Sequence, residues 1–184
     1  LARILARLHG QQNVKFMMTT IRRQAASCLY GLAPLISDIL HGKLDQLEAA
    51  EATDRDDDVD LSFIDGVRSE IGALVDLVED LDPHDPKVEA FKSAVIDKAR
   101  LPNNKSLVFT TFRHTLSYLA EHMAETGLRF GVVHGAVPDW ERAEIRRRFS
   151  LPKDAPDAID VLLSSEVGCE GLDFQFCDML VNYD

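Results

Sequence analysis

In the second half of the chain, short apolar runs alternate with segments whose apolar residues recur every three or four positions. The runs are SLVFTTF (106–112), RFGVV (129–133), IDVLL (159–163) and MLVNYD (179–184). Helical spacing separates them, through Leu116, Leu119 and Met123 and then from Pro138 to Phe149. Strands that alternate with helices are typical of a parallel sheet covered on both faces. The pattern therefore predicts an α/β fold in this half.

The first half is predicted to be helical, with one acidic interruption. Apolar residues follow helical spacing within 1–47, within 61–82 and again after Pro86. The tract at 48–60 has charge without an apolar period, which favours a solvated or disordered linker. We therefore expect a helical segment at 1–47, an acidic linker at 48–60, a helix at 61–82 and an α/β lobe at 83–184.

The negative charge is concentrated in the middle of the chain. The 184 residues carry a formal net charge of −11. Residues 41–100 hold seven basic and seventeen acidic side chains, a net −10. A uniformly acidic surface would repel nucleic acid, but basic groups occur locally at Arg22, Arg23, Arg142 and Arg146–Arg148. The charge distribution is therefore compatible with a local nucleic-acid contact.

The sequence carries no targeting signal and no metal-binding cysteine pattern. No apolar run approaches the roughly 20 residues that span a bilayer, and LARILARL at the start lacks the small-residue cleavage site of a signal peptide. Cys28, Cys169 and Cys177 show no CxxC spacing, so free thiols are favoured over disulfides or a zinc site. We expect a cytoplasmic protein with no membrane partner and no metal ligands.

The stretch LLSSEVGCEGLDFQF (162–176) places hydroxyls, carboxylates and glycines directly after a predicted strand. In open α/β sheets, ligands bind at the carboxyl ends of the strands. Hydroxyls and backbone N–H groups at such an end can donate to a phosphate without reading bases. A second interpretation is that Ser164 and Ser165 only cap a short helix.

Taken in order, KSLVFTTF, VVHG, ERAEIRRRF and LLSSEVGCEGLDFQFCDMLVNYD resemble the second RecA-like lobe of superfamily-two helicases. Within that superfamily the chain is similar to Swi/Snf-type ATPases, especially the bacterial members related to the ATPase that recycles RNA polymerase. The resemblance covers 85–184. It implies a RecA-like helicase lobe from an ATP-dependent DNA helicase or translocase that uses ATP and Mg²⁺.

The resemblance also implies roles for individual residues. The nucleic-acid contacts would be Thr111, Arg113, His134, Gly135, Ser164, Ser165 and Gly168. Gly171 and Asp173 would face the nucleotide, with Asp173 near the ATP ribose and the arginine finger. A loop that faces both ligands could couple hydrolysis to strand movement. Glu166 and Glu170 depart from the family pattern, and we assign them no ligand role.

Two further groups of side chains lie near these candidates, a set of arginines and a set of predicted core residues. Arg142, Arg146 and Arg147 share parts of one predicted helix surface, where they are either phosphate contacts or solvated charges. The predicted core residues of this half are Trp140, Ile145, Phe149, Phe176 and Tyr183.

Parts of a complete motor are missing from the sequence. It contains no GxxxxGK[ST] phosphate loop, no Asp-Glu pair after a strand and no arginine-rich motif after Asp184. The resemblance therefore implies that a first RecA-like lobe in the same protein binds most of the ATP and Mg²⁺, and we assign no catalytic residue to this chain. We expect a piece of a longer protein, inactive alone, whose partners are that lobe and double-stranded DNA.

Two other hypotheses stay open. The acidic helical part could bind a basic protein while the α/β part serves as a scaffold, which would make the chain a non-enzymatic interaction module. A hydrolase built on Ser164, His134 and Asp173 is the weaker alternative, because the sequence lacks a GxSxG elbow.

Overall fold

A computed structural model of the protein describes residues 11–32, 34–38, 69, 72–73, 76–77, 80, 82, 84–165 and 174–184. The chain divides into two compact units, Leu1–Asp82 and Pro83–Asp184. The helices are α1 (Gln11–Ser27), α2 (Pro86–Arg100), α3 (Arg113–Ala124) and α4 (Asp139–Ser150). The strands are β1 (Ser106–Phe109), β2 (Phe130–Val133), β3 (Val161–Ser164) and β4 (Met179–Asn182). The acidic linker predicted at 48–60 lies outside the described residues, as does most of 61–82.

The first unit contains the helix α1, as the apolar spacing predicts. Ile21, Gln24 and Cys28 are buried, and Ile36 from a second helical stretch is buried as well. The helical pattern extends to Leu29, but α1 ends at Ser27, and Leu29 is exposed. The amide of Cys28 closes the last turn by donating to the Gln24 carbonyl at 2.8 Å.

The second unit is built on a four-stranded sheet with the order β2-β3-β1-β4. β1 pairs in parallel with both β3 and β4, and β2 pairs in parallel with β3. Each parallel pair requires a crossover connection, which the helices between the strands supply. The parallel α/β fold predicted from the sequence is confirmed.

Side chains from the two faces of the sheet pack under different helices. On one face, Leu107, Val133 and Leu162 form a buried cluster with Ile159 and with Phe149 of α4. On the other face, which α2 and α3 cover, the fully buried residues include Val95, Val108, Val161, Leu163, Leu116, Leu119 and Met123. Because successive strand residues point to opposite faces, this division follows from the strand register.

Local sequence sets the ends of α2. The carboxylate of Asp85 caps the helix by accepting from the amides of Lys87 at 2.9 Å and Val88 at 3.3 Å. Pro86 occupies the first turn, where its missing N–H is not needed. The same Asp85 carboxylate accepts from the Tyr118 hydroxyl at 3.0 Å, so the cap also ties α2 to α3.

The amino edge of the sheet is held by a buried polar network around Asp160. Its carboxylate accepts from Arg129 Nη2 at 2.7 Å and Arg129 Nε at 3.0 Å, and also from the side chain of Asn104. The hydrogen bond to Asp160 raises the pKa of Arg129. Nearby, Lys105 Nζ donates to the Ile159 carbonyl at 2.6 Å, and burial lowers the pKa of this lysine. Arg129 and Asp160 form an ion pair within the protein, which indicates a structural role.

The prediction that Trp140 belongs to the core is wrong. Its side chain is 73% exposed, whereas Phe149 is fully buried and Ile145 is partly buried against the core cluster. At about 100° per residue, Trp140 lies about 140° around α4 from Ile145, so it falls away from the sheet. Tyr183 is buried and Phe176 packs against the core, as predicted.

Among the described residues, no helix is both long enough and apolar enough to cross a membrane. Cys28 is a buried free thiol, and Cys177 is a half-buried one. Burial raises the pKa of Cys177. Cys169 lies outside the described residues.

Candidate nucleic-acid interface

The four strands end level with one another at the carboxyl edge of the sheet. In the strand register, Ser164 pairs with both Phe109 and Val133, and Phe109 pairs with Asn182. The residues that follow each strand are therefore neighbours, although they are far apart in sequence. This edge contains most of the described residues to which we assigned ligand contacts.

At the end of β1, two threonines are held by a carboxylate from the end of β4. Asp184 accepts from the Thr110 hydroxyl at 2.8 Å, from the Thr111 amide at 2.6 Å and from the Thr111 hydroxyl at 2.5 Å. Thr110 is fully buried, whereas Thr111 and Asp184 are exposed. The Thr110 hydroxyl also accepts from the Phe112 amide at 3.4 Å, just before α3. The three residues form one hydrogen-bonded cluster.

At the end of β3, the two serines have different surroundings. Ser164 has no exposed surface, and its hydroxyl donates to the Ser165 carbonyl at 2.8 Å. Ser165 is half-buried, and its amide donates to the Val133 carbonyl at 3.0 Å. A phosphate contact by Ser164 would therefore require its hydroxyl to turn outward, while Ser165 already has exposed surface.

At the end of β2, His134 and Gly135 lie in a turn that the side chain of Arg142 braces. His134 Nδ1 accepts from the Ala136 amide at 3.2 Å. Arg142 Nη2 donates to the Gly135 carbonyl at 2.8 Å, and Arg142 Nε donates to the Val137 carbonyl at 2.8 Å. The guanidinium therefore holds the turn in place, and the exposed Gly135 lies at the edge without a side chain.

The arginines of this region differ in how much of their charge is already paired. The side chain of Arg113 is exposed at the start of α3 and makes no hydrogen bond or ion pair with any residue that the structure describes. Arg147 pairs with Glu144 through two hydrogen bonds of 2.8 and 2.7 Å, and this contact lowers the pKa of Glu144. Of the two, Arg113 has the charge that is more available to a phosphate.

Several predicted ligand residues lie outside the described part of the chain. They are Gly168, Gly171 and Asp173, together with Glu166 and Glu170. The described residues hold no group of three or more His, Cys, Asp or Glu side chains that could bind a metal ion.

Asp184 is a residue of the site that sequence reasoning missed. The run that ends in Tyr-Asp was recognised as part of the helicase resemblance, but no contact was assigned to the aspartate. Its partners Thr110 and Thr111 are more than 70 residues away in sequence. Only the pairing of β4 beside β1 brings these groups together.

Comparisons with known proteins show the family of the second unit. A family model described as the helicase conserved C-terminal domain matches residues 86–184. The uncharacterized ATP-dependent helicase YqhH of Bacillus subtilis (strain 168) is 30% identical over 95 residues, which are 49% of this chain and 15% of that protein. The ATP-dependent RNA helicase dbp5 of Botryotinia fuckeliana (strain B05.10) is 33% identical over 79 residues, which are 43% of this chain and 16% of that protein.

Among solved structures, the helicase domain of Hef from Pyrococcus furiosus has a similar fold. The TM-score is 0.54 at 19% identity, over 90% of this chain and 32% of that chain. This likeness supports the RecA-like fold of the sheet and its helices. The chain spans about a sixth of the length of the curated relatives YqhH and dbp5.

Proposed function

This chain belongs to the helicase conserved C-terminal domain family of the superfamily-two helicases, and on that premise we propose that it is the second RecA-like lobe of an ATP-dependent nucleic-acid motor. The observation that carries the proposal is the level carboxyl edge of the sheet, which brings residues from β1, β2 and β3 together. Groups from three strand ends can then contact one nucleic-acid backbone.

The proposed contacts are donors and a cation suited to phosphate. Thr111 and Ser165 carry hydroxyls, Gly135 permits close approach of the backbone, and Arg113 supplies an exposed positive charge. His134 and Gly168 complete the proposed set of contacts, whereas Ser164, whose buried hydroxyl donates to the Ser165 carbonyl, is proposed to support the end of β3. Contacts of this kind position a nucleic acid without reading its sequence. A motor that moves along many sequences needs contacts of that type.

ATP would be bound mainly by the first lobe, with Gly171 and Asp173 of this chain facing the nucleotide. Hydrolysis of ATP with Mg²⁺ supplies the free energy for movement. The proposed role of this chain is to hold the nucleic acid at one edge of the sheet while the loop after β3 senses the nucleotide. The proposed location is the cytoplasm.

The finer proposal is a Swi/Snf-type translocase that acts on double-stranded DNA. Its support is the resemblance of the motifs from KSLVFTTF to MLVNYD. RNA is the second candidate substrate, because dbp5 is by name an RNA helicase. The proposed phosphate contacts are compatible with either polymer, so the substrate has to be decided by experiment.

The test is ATP hydrolysis by the complete protein that carries this chain. Turnover is compared without nucleic acid and with duplex DNA, single-stranded DNA or single-stranded RNA, at one fixed salt concentration because phosphate contacts depend strongly on salt. We expect duplex DNA to stimulate turnover most. Stronger stimulation by RNA would select the second candidate, and no turnover under any condition would reject the motor in favour of the interaction module.

A companion variant tests the nucleotide side of the lobe. Asp173→Ala is expected to lower ATP turnover while leaving nucleic-acid affinity mostly intact, because the residue is proposed to face the ribose and the arginine finger. Unchanged turnover would refute this role. Asp154→Asn, an exposed carboxylate in the loop before β3, serves as the matched control.

A further inference from the structure

We propose that Asp184 is an internal anion that occupies the donors of Thr111 and so limits phosphate binding at the end of β1. The inference rests on the proposed function, since it concerns the same edge of the sheet. Its basis is the contact of one carboxylate with Thr110 Oγ1 at 2.8 Å, Thr111 N at 2.6 Å and Thr111 Oγ1 at 2.5 Å.

Asp184 and a phosphate cannot accept hydrogen bonds from the donors of Thr111 at the same time. An ionised carboxylate only accepts hydrogen bonds, and a threonine hydroxyl has a single proton to donate. With both its amide and its hydroxyl directed to Asp184, Thr111 retains only acceptor capacity. A phosphate oxygen is also an acceptor. A nucleic-acid phosphate can therefore bond to Thr111 only by displacing the carboxylate of Asp184.

The surroundings allow the carboxylate to move while its backbone stays in place. Asp184 and Thr111 are both exposed. The preceding residue, Tyr183, is buried, and its amide donates to the Phe109 carbonyl at 2.9 Å. Its ring packs edge-on against Phe91, with centroids 5.7 Å apart, and Lys87 Nζ lies 4.2 Å from its centroid. Displacement then rotates the Asp184 side chain about a fixed backbone and breaks its hydrogen bonds to Thr110 and Thr111.

The negative charge of Asp184 also opposes an arriving phosphate directly. Arg113, two residues after Thr111, is exposed and would attract the same phosphate. A phosphate bound at Thr111 would therefore be repelled by Asp184 and attracted by Arg113. Removal of the Asp184 charge leaves only the attraction. The inference predicts that loss of this charge strengthens nucleic-acid binding, whereas a purely structural role of Asp184 predicts that binding weakens.

The experiment measures the affinity of the complete protein that carries this chain for fluorescein-labelled duplex DNA and single-stranded RNA by anisotropy, without nucleotide and over a range of salt concentrations. Asp184→Asn keeps the shape of the side chain and removes its charge. We expect it to bind about 3- to 10-fold more tightly, the equivalent of one added hydrogen bond of ordinary net strength. The dependence of affinity on salt should also become steeper by about one phosphate contact.

Thr111→Val supplies the coupling test. If Asp184 acts through the donors of Thr111, the gain from Asp184→Asn should shrink in the Thr111→Val background. Asp154→Asn removes an equal charge from the loop before β3 and should leave affinity within about 2-fold, because exposed charges at a distance are screened by salt. Melting temperatures of all variants show that they are folded.

The possible results separate the two proposals. Tighter binding by Asp184→Asn with a steeper salt dependence supports the internal anion. Equal or weaker binding by Asp184→Asn, while the original protein binds measurably, overturns it and leaves the proposed function standing. No binding by the original protein or by any variant overturns the proposed function and the internal anion together.

Discussion

At the scale of single residues, side chains at the carboxyl edge that look equivalent in sequence differ in their exposure. Ser164 and Ser165 are adjacent, but only Ser165 has exposed surface, because Ser164 is the last residue of a strand that is buried along its whole length. The Ser164 hydroxyl is engaged by the Ser165 carbonyl. We therefore expect Ser164 to contribute to stability and Ser165 to ligand binding.

Substitution of each serine by alanine tests this division. Ser165→Ala should weaken nucleic-acid binding about 5- to 10-fold through loss of one hydrogen bond worth about 1 kcal/mol. Ser164→Ala should lower the free energy of unfolding by about 1 kcal/mol, the net value of an ordinary hydrogen bond, with little change in affinity. Anisotropy titration and urea unfolding measure the two effects. Equal losses of affinity in both variants would contradict the division.

At the scale of elements, the position of α4 depends on close packing over β2. A Cβ atom placed on Gly131 would lie 3.0 Å from Ile145 Cγ2 and 3.0 Å from Ile159 Cδ1. The missing side chain thus lets α4 approach the strand that ends in His134. The turn at 134–137 and the helix that braces it then form one packed unit.

Gly131→Ala is expected to lower the free energy of unfolding by about 2 kcal/mol, because interiors packed this tightly tolerate little added volume. Urea unfolding monitored by circular dichroism measures the change. A second substitution, Ile145→Val, removes a methyl group near the added Cβ and should restore part of the loss.

The control for this prediction is Gly127→Ala. Gly127 has a φ of +71° but no atom within 4 Å of an added Cβ. Gly127→Ala should therefore lower the free energy of unfolding by about 1 kcal/mol through backbone strain alone. If Gly131→Ala left the unfolding free energy unchanged, the packing argument for α4 would fail.

At the scale of the whole molecule, the chain belongs to a helicase family but spans only about a sixth of the relatives it matches. Complete turnover is therefore proposed for the longer protein. The chain itself supplies a sheet whose amino edge holds an internal ion pair and whose carboxyl edge carries several hydroxyl groups. The network around Asp160 exemplifies the first edge, and Thr110, Thr111 and Asp184 exemplify the second.

Stability of the second unit should depend on pH in a predictable direction. The hydrogen bond from Lys98 lowers the pKa of Asp178, and contacts with Lys92 and Arg147 lower the pKa of Glu125 and Glu144 respectively. A carboxyl with a lowered pKa in the folded state stabilises the fold above its ordinary pKa and loses that contribution as the pH falls through the folded value. Stability should therefore decrease on acidification.

The alkaline side is set by the raised pKa of Cys177. The buried thiol stabilises the fold below its ordinary pKa, and this contribution is lost as the pH rises toward the folded value. Urea midpoints measured from acid to alkaline pH should show a plateau between the two limits. Asp178→Asn should flatten the acid side and Cys177→Ala the alkaline side, and a midpoint that does not vary with pH would contradict both assignments.

The sequence by itself determined the local elements and the edge at which the candidate site lies. Alternating runs such as 106–112 and 159–163 predicted the strands, because periodicity records which residues are buried. The start of α2 after Pro86 was also predicted, since a proline in the first turn of a helix depends on neighbours in sequence. Trp140 was misjudged, because an aromatic residue in a helical pattern does not reveal its angle to the sheet.

Only the tertiary structure decided which strands are neighbours, and the candidate site depends on that choice. Placing β4 beside β1 brings the Asp184 carboxylate onto Thr111, across 73 positions of sequence. Strand order results from packing and hydrogen bonding between distant segments, which no local pattern encodes. Two features of the site could therefore be seen only in the folded chain. Ser164 is buried, and the charged side chain of Asp184 contacts Thr111, a predicted phosphate contact.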